Sequence, residues 1–269
     1  MDVLVPHSLD EALELKAERP EAVPVAGGTD LMVELNAGRR RPPALLDLSR
    51  IDELKTWWRD DGTVFVGAGV TFARIADSLG ALPALVQAAR SIGSAQIRRR
   101  ATIGGNVATA SPAGDAIAVL AAYDADIVVA RTGLTRRVPC HEFCTGPKRT
   151  SLAPDELITG VQWRVANGPE SFAKVGLRGA MVIAIASACI QLDGDGRVRL
   201  ALGSVAPTVI RASEAEAYAA AHDDPIGFGR LAARDARPID DLRASAAYRR
   251  HAVEVLARRA FSGALEGPC

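Results

Sequence analysis

The chain has 269 residues, 48% of them hydrophobic, and its 32 basic side chains balance 32 acidic ones. This length is enough for two compact domains with a sizeable core. The zero net charge argues against a dedicated nucleic-acid-binding protein. Neither a membrane span of about 18 apolar residues nor a signal peptide is predicted, so the sequence favours a cytoplasmic protein.

The first part of the chain predicts a small lobe that ends near residue 54. Ser8 and Glu11 have the spacing of a capping box, so a helix is predicted over residues 7–18, and Pro20 ends it. Apolar runs and turn residues predict three further elements: a strand at 23–26, a helical turn at 31–36 and a strand at 44–48. Together these elements form a βαβ-like lobe.

A second lobe is predicted over residues 55–166. The stretch 102–115 within it is predicted as a glycine-rich loop. Alternating apolar runs, helix caps and small-residue turns predict its other elements: a strand at 63–71, helices at 72–79, 83–91 and 116–122, and strands at 125–130, 136–138 and 157–165. Asn167-Gly168-Pro169 then breaks the chain, and a domain boundary is placed there.

Residues 167–269 predict a sheet followed by helices. Asp193-Gly194 favours a hairpin turn, because this pair readily adopts the positive φ angles that hairpin turns need. The predicted elements are strands at 172–176, 182–192 and 197–205 and helices at 213–221, 226–233 and 245–265. This order predicts an α+β domain in which helices cover one face of an antiparallel sheet.

Two stretches combine paired glycines with short polar side chains. In residues 102–115, Gly104-Gly105 is followed by Asn106, and in residues 23–32, Gly27-Gly28 follows an apolar run. Paired glycines permit positive φ angles and let the backbone lie against a ligand, so both stretches predict a cradle of backbone N–H groups for phosphate. An ordinary glycine-rich turn is the alternative. Neither stretch is a G-x-G-x-x-G fingerprint or a P-loop, which disfavours Rossmann and Walker folds.

Together the two stretches resemble the FAD-binding subunit of the molybdenum hydroxylases, a family that includes xanthine dehydrogenase and carbon monoxide dehydrogenase. The likeness continues through residues 142–150, 154–158 and 238–250, in the family's order, so it covers almost the whole chain. The resemblance implies an α+β fold with a two-lobed FAD-binding domain over residues 1–166, divided into lobes 1–54 and 55–166. An antiparallel sheet with helices on one face would follow over residues 167–269.

The resemblance implies FAD bound between the two lobes. Residues 27–30 and 105–106 are expected around its pyrophosphate, and Thr109 and Asp115 at the ribityl or ribose hydroxyls. One of residues 157–158 would pack near the adenine, and Lys174 would lie near the isoalloxazine ring, where a cation can stabilise the reduced flavin anion. The full set of expected cofactor residues is Val25, Ala26, Gly27, Gly28, Thr29, Asp30, Leu31, Thr102, Gly104, Gly105, Asn106, Thr109, Asp115, Leu157, Ile158 and Lys174.

Several of these side chains have a second interpretation. Asp30 could cap the helix that follows it, contact the cofactor, or do both. Asp115 precedes an apolar helix, so an N-cap role is favoured over a direct flavin contact. Lys174 lies in a strand pattern and could equally be a surface lysine. The run of three arginines at residues 98–100 is interpreted as a solvated edge, and His141 as a structural residue.

No metal site is predicted in this chain. Cys140 and Cys144 flank a histidine, but a zinc site normally needs four ligands and no second cluster is present. With Cys189 and Cys269 the cysteines are too few and too scattered for a disulfide framework, and they cannot hold a 2Fe–2S cluster.

The resemblance therefore implies partners: a 2Fe–2S subunit and a molybdopterin-binding subunit, in a heterotrimer or a dimer of heterotrimers. The FAD would pass electrons from the 2Fe–2S subunit to NAD, a quinone or oxygen. Many relatives have an acidic residue where this chain has Val182, which leaves the acceptor open. Two alternatives are a stand-alone FAD-dependent oxidoreductase and a flavin-free structural subunit, although both intact glycine pairs argue against the latter.

Overall fold

The computed structural model describes residues 1–266, and Cys269 lies outside them. Its strands are β1 Asp2–Leu4, β2 Val23–Val25, β3 Ala44–Asp47, β4 Trp57–Asp60, β5 Thr63–Gly67, β6 Asp126–Arg131, β7 Leu134–Pro139, β8 Cys144–Gly146, β9 Arg149–Thr150, β10 Leu157–Arg164, β11 Glu170–Val175, β12 Ala186–Leu192, β13 Val198–Gly203 and β14 Ile210–Arg211. Its helices are α1 Leu9–Glu18, α2 Leu31–Asn36, α3 Phe72–Ser78, α4 Pro83–Ser91, α5 Ala95–Arg100, α6 Ile103–Thr109, α7 Asp115–Ala122, α8 Cys140–Phe143, α9 Ser213–Ala219, α10 Pro225–Asp235 and α11 Ala246–Glu266.

The first lobe is a three-stranded parallel sheet in the order β1-β3-β2, with α1 and α2 in its connections. The helix predicted after Ser8 is confirmed, because the Ser8 hydroxyl accepts a hydrogen bond from the amide of Glu11 at 3.2 Å. The Glu11 carboxylate accepts from the amide of His7 rather than from that of Ser8, so the capping box is not closed. Strand β1 was not predicted, because its short run carries no clear alternation and only pairing with β3 defines it.

The second lobe contains a five-stranded antiparallel sheet in the order β4-β5-β10-β6-β7. Helices α3, α4, α6 and α7 contribute a large part of the apolar core that packs with it, including the fully buried side chains of Phe72, Ile103 and Leu120. Thr71 caps α3 as predicted, accepting from the amide of Arg74 at 3.3 Å. Helix α5, capped by Ser94, lies where only a solvated arginine run was predicted.

The predicted glycine-rich loop after residue 102 is a helix, so that prediction was wrong. The Thr102 hydroxyl caps α6 by accepting from the amide of Gly105 at 3.1 Å, and neither Gly104 nor Gly105 has a positive φ. A Cβ added to Gly104 would lie 2.5 Å from the Cβ of Ala68. The cap and this close packing outweigh the weak helix propensity of glycine.

The C-terminal unit is an antiparallel sheet in the order β11-β12-β13-β14. Helices α10 and α11 pack together through the stacked rings of Phe228 and Phe261, in a core shared with β12 and β13. The predicted hairpin turn connects β12 and β13, and Gly196 in it has a φ of +83°. Strand β12 begins four residues later than predicted, because residues 176–185 form a connection outside the sheet. Within residues 1–266, no helix is both long and apolar enough to cross a bilayer.

Two helical glycines should respond in opposite directions to replacement by alanine. A Cβ on Gly229 in α10 would lie 2.6 Å from the carbonyl oxygen of Glu254 in α11, whereas a Cβ on Gly263 in α11 would have no neighbour within 4 Å among the described residues. We expect Gly263→Ala to raise the free energy of unfolding by roughly 0.5–1 kcal/mol and Gly229→Ala to lower it by about 1–3 kcal/mol. Urea unfolding of both variants measures the two changes in the free energy of unfolding. Equal changes would contradict the close contact between α10 and α11 at Gly229.

Candidate cofactor site

A cavity of about 650 Å³ lies where the two lobes and the C-terminal unit meet. The first lobe contributes all of residues 23–31, the second contributes residues of the α4–α5 connection and of residues 101–115, and the C-terminal unit contributes Val182 and Ile183. The fold therefore brings both glycine-pair stretches to one place. Its size is in the usual range for small-molecule sites, about 300–1,000 Å³.

The first glycine pair allows the β2–α2 loop to lie directly on the second lobe. A Cβ on Gly27 would be 2.0 Å from the carbonyl oxygen of Arg100. Gly28 has a φ of +72°, which turns the chain into α2. Asp30 occupies the N-cap position of α2, but its exposed side chain makes no capping hydrogen bond, so its predicted capping role was wrong.

The two residues of the second glycine pair have different surroundings, one in the packed core and one at the cavity. Gly104 is buried against Ala68 and does not line the cavity, whereas Gly105 lines it, with only the Thr102 hydroxyl within 4 Å of an added Cβ. One turn on, the Thr109 hydroxyl donates to the carbonyl oxygen of Gly105 at 2.9 Å. Asn106 also lines the cavity, and its buried Oδ1 has no hydrogen-bond partner.

Asp115 forms a buried ion pair with Lys174. The two side chains are 6% and 8% exposed, and they join α7 to β11. Asp115 is the first residue of α7 and Gly114 is its N-cap, so the predicted N-cap role of Asp115 was wrong. The surface-lysine interpretation of Lys174 was also wrong. Its Nζ donates in addition to the carbonyl oxygens of Ser91 at 3.1 Å and Val182 at 3.2 Å.

The electrostatics of this pair depend on burial. Desolvation raises the pKa of the Asp115 carboxyl, and the positive charge of Lys174 and the Ser91 hydroxyl oppose that rise. Only one carboxylate oxygen is satisfied, because Oδ2 accepts from Lys174 and Ser91 while the buried Oδ1 has no partner. Asp115 is also among the residues that line the cavity.

Most of the residues predicted from the sequence meet at this cavity. Leu157 and Ile158 do not, because both are buried in the apolar cores on either face of β10, and Lys174 lines a neighbouring cavity instead. Those that line the first cavity are Val25, Ala26, Gly27, Gly28, Thr29, Asp30, Leu31, Thr102, Gly105, Asn106, Thr109 and Asp115.

The structure adds lining residues that the sequence did not single out. Ile92 and Gly93 come from the α4–α5 connection, in which Gly93 has a φ of +48°, and Ile97 comes from α5. Lys148 lies at the cavity and pairs with Glu34 of α2 at 2.6 Å, and this contact raises the pKa of the lysine. The turn signal at Gly93 was readable in the sequence, but the Lys148 contact spans 114 positions and was not.

The cysteine cluster does not form a ligand set. Cys140 and Cys144 are buried, and burial raises the pKa of the Cys144 thiol to about 11, which disfavours the thiolate that a metal needs. His141 is exposed and its ring lies 3.6 Å from Glu142. Within residues 1–266, no group of three or more potential ligands is placed to hold a metal ion.

The cavity combines two kinds of hydrogen-bonding capacity. The glycine-rich β2–α2 loop and α6 present a backbone free of bulky side chains, which suits an anion. Two buried acceptors, Asn106 Oδ1 and Asp115 Oδ1, have no donor within residues 1–266, although such atoms are nearly always paired. A ligand that carries both phosphate groups and hydroxyl donors would satisfy both requirements.

Comparisons with known proteins find relatives over almost the whole chain. Two family models match the chain: the FAD binding domain in molybdopterin dehydrogenase over residues 1–163, and the CO dehydrogenase flavoprotein C-terminal domain over residues 171–264. The xanthine dehydrogenase FAD-binding subunit of Escherichia coli O157:H7 is 32% identical over 276 residues, covering 96% of this chain and 94% of that protein.

Carbon monoxide dehydrogenase is similar in both sequence and structure. The medium chain of the Hydrogenophaga pseudoflava enzyme is 28% identical over 279 residues, covering 96% of this chain and 95% of that protein. A solved structure of this enzyme, which lacks the Mo-pyranopterin moiety of its cofactor, has a TM-score of 0.91 and 28% identity, covering 99% of this chain and 97% of that one.

The ion pair beside the cavity should be strongly coupled. Asp115→Asn or Lys174→Met leaves the other side chain buried without its partner, so each should lower the free energy of unfolding by about 3–5 kcal/mol. The loss of unfolding free energy in the double variant should be smaller than the sum of the two single losses by about 1–3 kcal/mol. Lys55→Met, which removes an exposed ion pair with Asp52, is the matched control and should cost about 1 kcal/mol at most. Additive losses in urea unfolding would show that the two side chains are not coupled.

Proposed function

Because the chain belongs to the FAD-binding subunits of the molybdenum hydroxylase family, and so binds FAD as part of an oxidoreductase, we propose that the described cavity holds the FAD. The observation that carries this placement is the pair of buried, unpartnered acceptors beside a glycine-rich backbone. The residues present fit the cofactor, because FAD has a pyrophosphate for backbone amides and hydroxyl groups that donate to such acceptors.

We assign the roles of individual residues from their positions. The backbone amides of residues 27–30 bind the pyrophosphate, and Gly105 leaves room for it on the opposite wall. Asn106 Oδ1 and Asp115 Oδ1 accept from the ribityl or ribose hydroxyls. Lys174 favours the ionised form of the Asp115 carboxyl group and orients it. The positive charge of Lys174 also favours electron density on the isoalloxazine ring of the bound flavin. Bound FAD supplies the redox chemistry, which the amino-acid side chains cannot.

The two predicted domains meet at this site. We propose that residues 1–166 form the FAD-binding domain and residues 167–269 a separate C-terminal domain, which the separate family-model matches over 1–163 and 171–264 support. Lys174 and Val182 would then be contributions of the second domain to the cofactor site of the first. Leu157 and Ile158 have no role in this proposal, because the structure buries both away from the cavity.

The chain would work as the last protein member of an electron relay. In this proposal a molybdopterin-binding subunit would oxidise the substrate and a 2Fe–2S subunit would deliver the electrons to the FAD held by this chain. NAD, a quinone or oxygen would be the final acceptor. Two observations support this relay: relatives are named as a medium chain and as an FAD-binding subunit, and residues 1–266 contain no cluster of metal ligands. The complex is proposed to be a heterotrimer or a dimer of heterotrimers.

Val182 stands where many relatives have an acidic side chain. The contact that holds the β11–β12 connection does not depend on the side chain at this position. Lys174 Nζ donates to the backbone carbonyl oxygen of Val182, which every residue type provides. The apolar side chain of Val182 lines the cavity in place of a negative charge. The substitution therefore removes a negative charge beside the proposed flavin and leaves the backbone contact with Lys174 unchanged.

Replacing Asn106 with leucine should separate FAD binding from stability. Asn106→Leu removes a buried unpartnered acceptor, so the free energy of unfolding of the FAD-free chain should stay equal or rise by about 1 kcal/mol, while the affinity for FAD falls about tenfold or more. Calorimetric titration with FAD and urea unfolding measure the two quantities. Asn36→Leu, at the exposed end of α2 and outside the cavity, is the control. Unchanged FAD affinity in Asn106→Leu would contradict the proposed placement.

The relay itself predicts what purifies with the chain. The tagged chain, isolated from its own host, should carry iron and molybdenum in a fixed ratio to FAD, because both metals belong to the proposed partner subunits. Metal analysis and FAD release measure the ratio, and mixing the substrate-reduced complex with NAD, a quinone or oxygen in a stopped-flow spectrometer identifies the acceptor. FAD without iron or molybdenum would favour the stand-alone oxidoreductase.

A further inference from the structure

Arg249 is a buried cation that contacts three separate segments of the chain. It lies in the first turn of α11, and its side chain is 4% exposed. Nη1 donates to the carbonyl oxygens of Ile185 at 2.6 Å and Ser204 at 2.9 Å, and Nη2 donates to Asp241 at 2.7 Å. Burying a charge is unfavourable unless its donors are satisfied. Nη1 and Nη2 have partners, whereas the buried Nε has none within residues 1–266. The contacts of Nη1 and Nη2 indicate that the role of Arg249 is to hold the three segments.

The first segment forms a wall of the cavity. Residues 176–185 connect β11 to β12, and Val182 and Ile183 within them line the cavity. Lys174 binds this segment at the carbonyl oxygen of Val182, and Arg249 binds it at the carbonyl oxygen of Ile185. The wall is therefore held at two points by two buried cations.

The second segment reaches the opposite wall through one residue. Ser204 has a φ of +63°, an unfavourable conformation for a residue with a Cβ, which persists only where its surroundings impose it. Arg249 donates to the carbonyl oxygen of Ser204, and the amide of Ser204 donates to the carbonyl oxygen of Pro112 at 2.7 Å. Pro112 lies between Ser111 and Ala113, which both line the cavity, so Arg249 also supports the α6–α7 loop.

The third segment is on the surface. Asp241 lies in the loop between α10 and α11, where its carboxylate also accepts from the amides of Arg243 at 2.8 Å and Ala244 at 3.1 Å. Its neighbour Leu242 is fully exposed. One guanidinium group therefore connects an exposed loop to two walls of the cavity.

We propose that Arg249 is a positioning residue for the bound flavin: it sets the places of residues 182–183 and 111–113 around the cofactor without touching it. A displacement of the Asp241 loop then changes how the cavity holds FAD. This inference rests on the proposed placement of FAD. If Arg249 only stabilised the fold, its loss would lower the free energy of unfolding and leave the affinity of the folded chain for FAD unchanged.

The test compares FAD binding by full-length variants at temperatures well below their unfolding midpoints. We expect Arg249→Met to raise the Kd for FAD about 3- to 30-fold. Arg249→Lys should restore part of this loss, because an ammonium group keeps the charge but not the fork of donors. Arg250→Met is the matched control, since Arg250 is exposed on the next position of the same helix, and it should bind FAD as the wild type does.

Hydrogen exchange of the FAD-free chain gives a readout that needs no cofactor. In Arg249→Met the amides of Ile185 and Ser204, which bond to Val175 and Pro112, should lose protection, while β13 keeps its protection. Asp241→Asn provides a second, milder variant, because asparagine keeps an acceptor for the loop amides and loses the charge that Arg249 pairs with. Asp241→Asn should also raise the Kd for FAD, by a smaller factor than Arg249→Met does.

The outcomes separate the two proposals. Wild-type affinity for FAD in both Arg249→Met and Asp241→Asn would overturn the positioning role, however far the unfolding midpoints fall. A wild-type chain that takes up no FAD would instead overturn the placement of the cofactor, and the positioning role with it.

Discussion

The buried ion pair between Lys174 and Asp115 is the contact on which the site depends. Lys174 belongs to the C-terminal sheet and Asp115 to a helix of the second lobe, so the pair fixes these two parts against each other. Because neither charge can be left unpaired in a buried place, the β11–β12 connection must stay where Lys174 also binds Val182. A wall of the cavity is thus held by an ion pair of which only Asp115 lines the cavity.

The paired glycines act chiefly by close packing. The missing side chain of Gly27 lets the β2–α2 loop lie on the backbone of Arg100, and that of Gly104 lets α6 lie on Ala68. Within these two pairs, only Gly28 needs a positive φ. This packing brings two backbone segments to opposite walls of one cavity, where Gly105 leaves room for a ligand. A bulky side chain at Gly27 or Gly104 would separate the segments that these glycines bring together.

The same region stores unsatisfied polar groups. Asn106 and Asp115 each keep a buried oxygen without a donor, which lowers the stability of the ligand-free protein. Natural proteins retain such groups where function requires them. In the proposed FAD site these acceptors would be in place before the cofactor binds, and the contacts of Lys174 and Arg249 would hold the segments around them.

The sequence by itself determined the local features and the family. The caps at Ser8 and Thr71 and the turn at Gly196 follow from short-range chemistry, and the ordered motifs identified an FAD-binding subunit of the molybdenum hydroxylases. The tertiary structure decided the rest: that residues 103–109 are helical, that Asp115 pairs with a lysine 59 positions away, and that Leu157 is buried in a core. The physical reason is range. Caps and turns depend on neighbours within about four residues, whereas burial and ion pairing depend on side chains that only folding brings together.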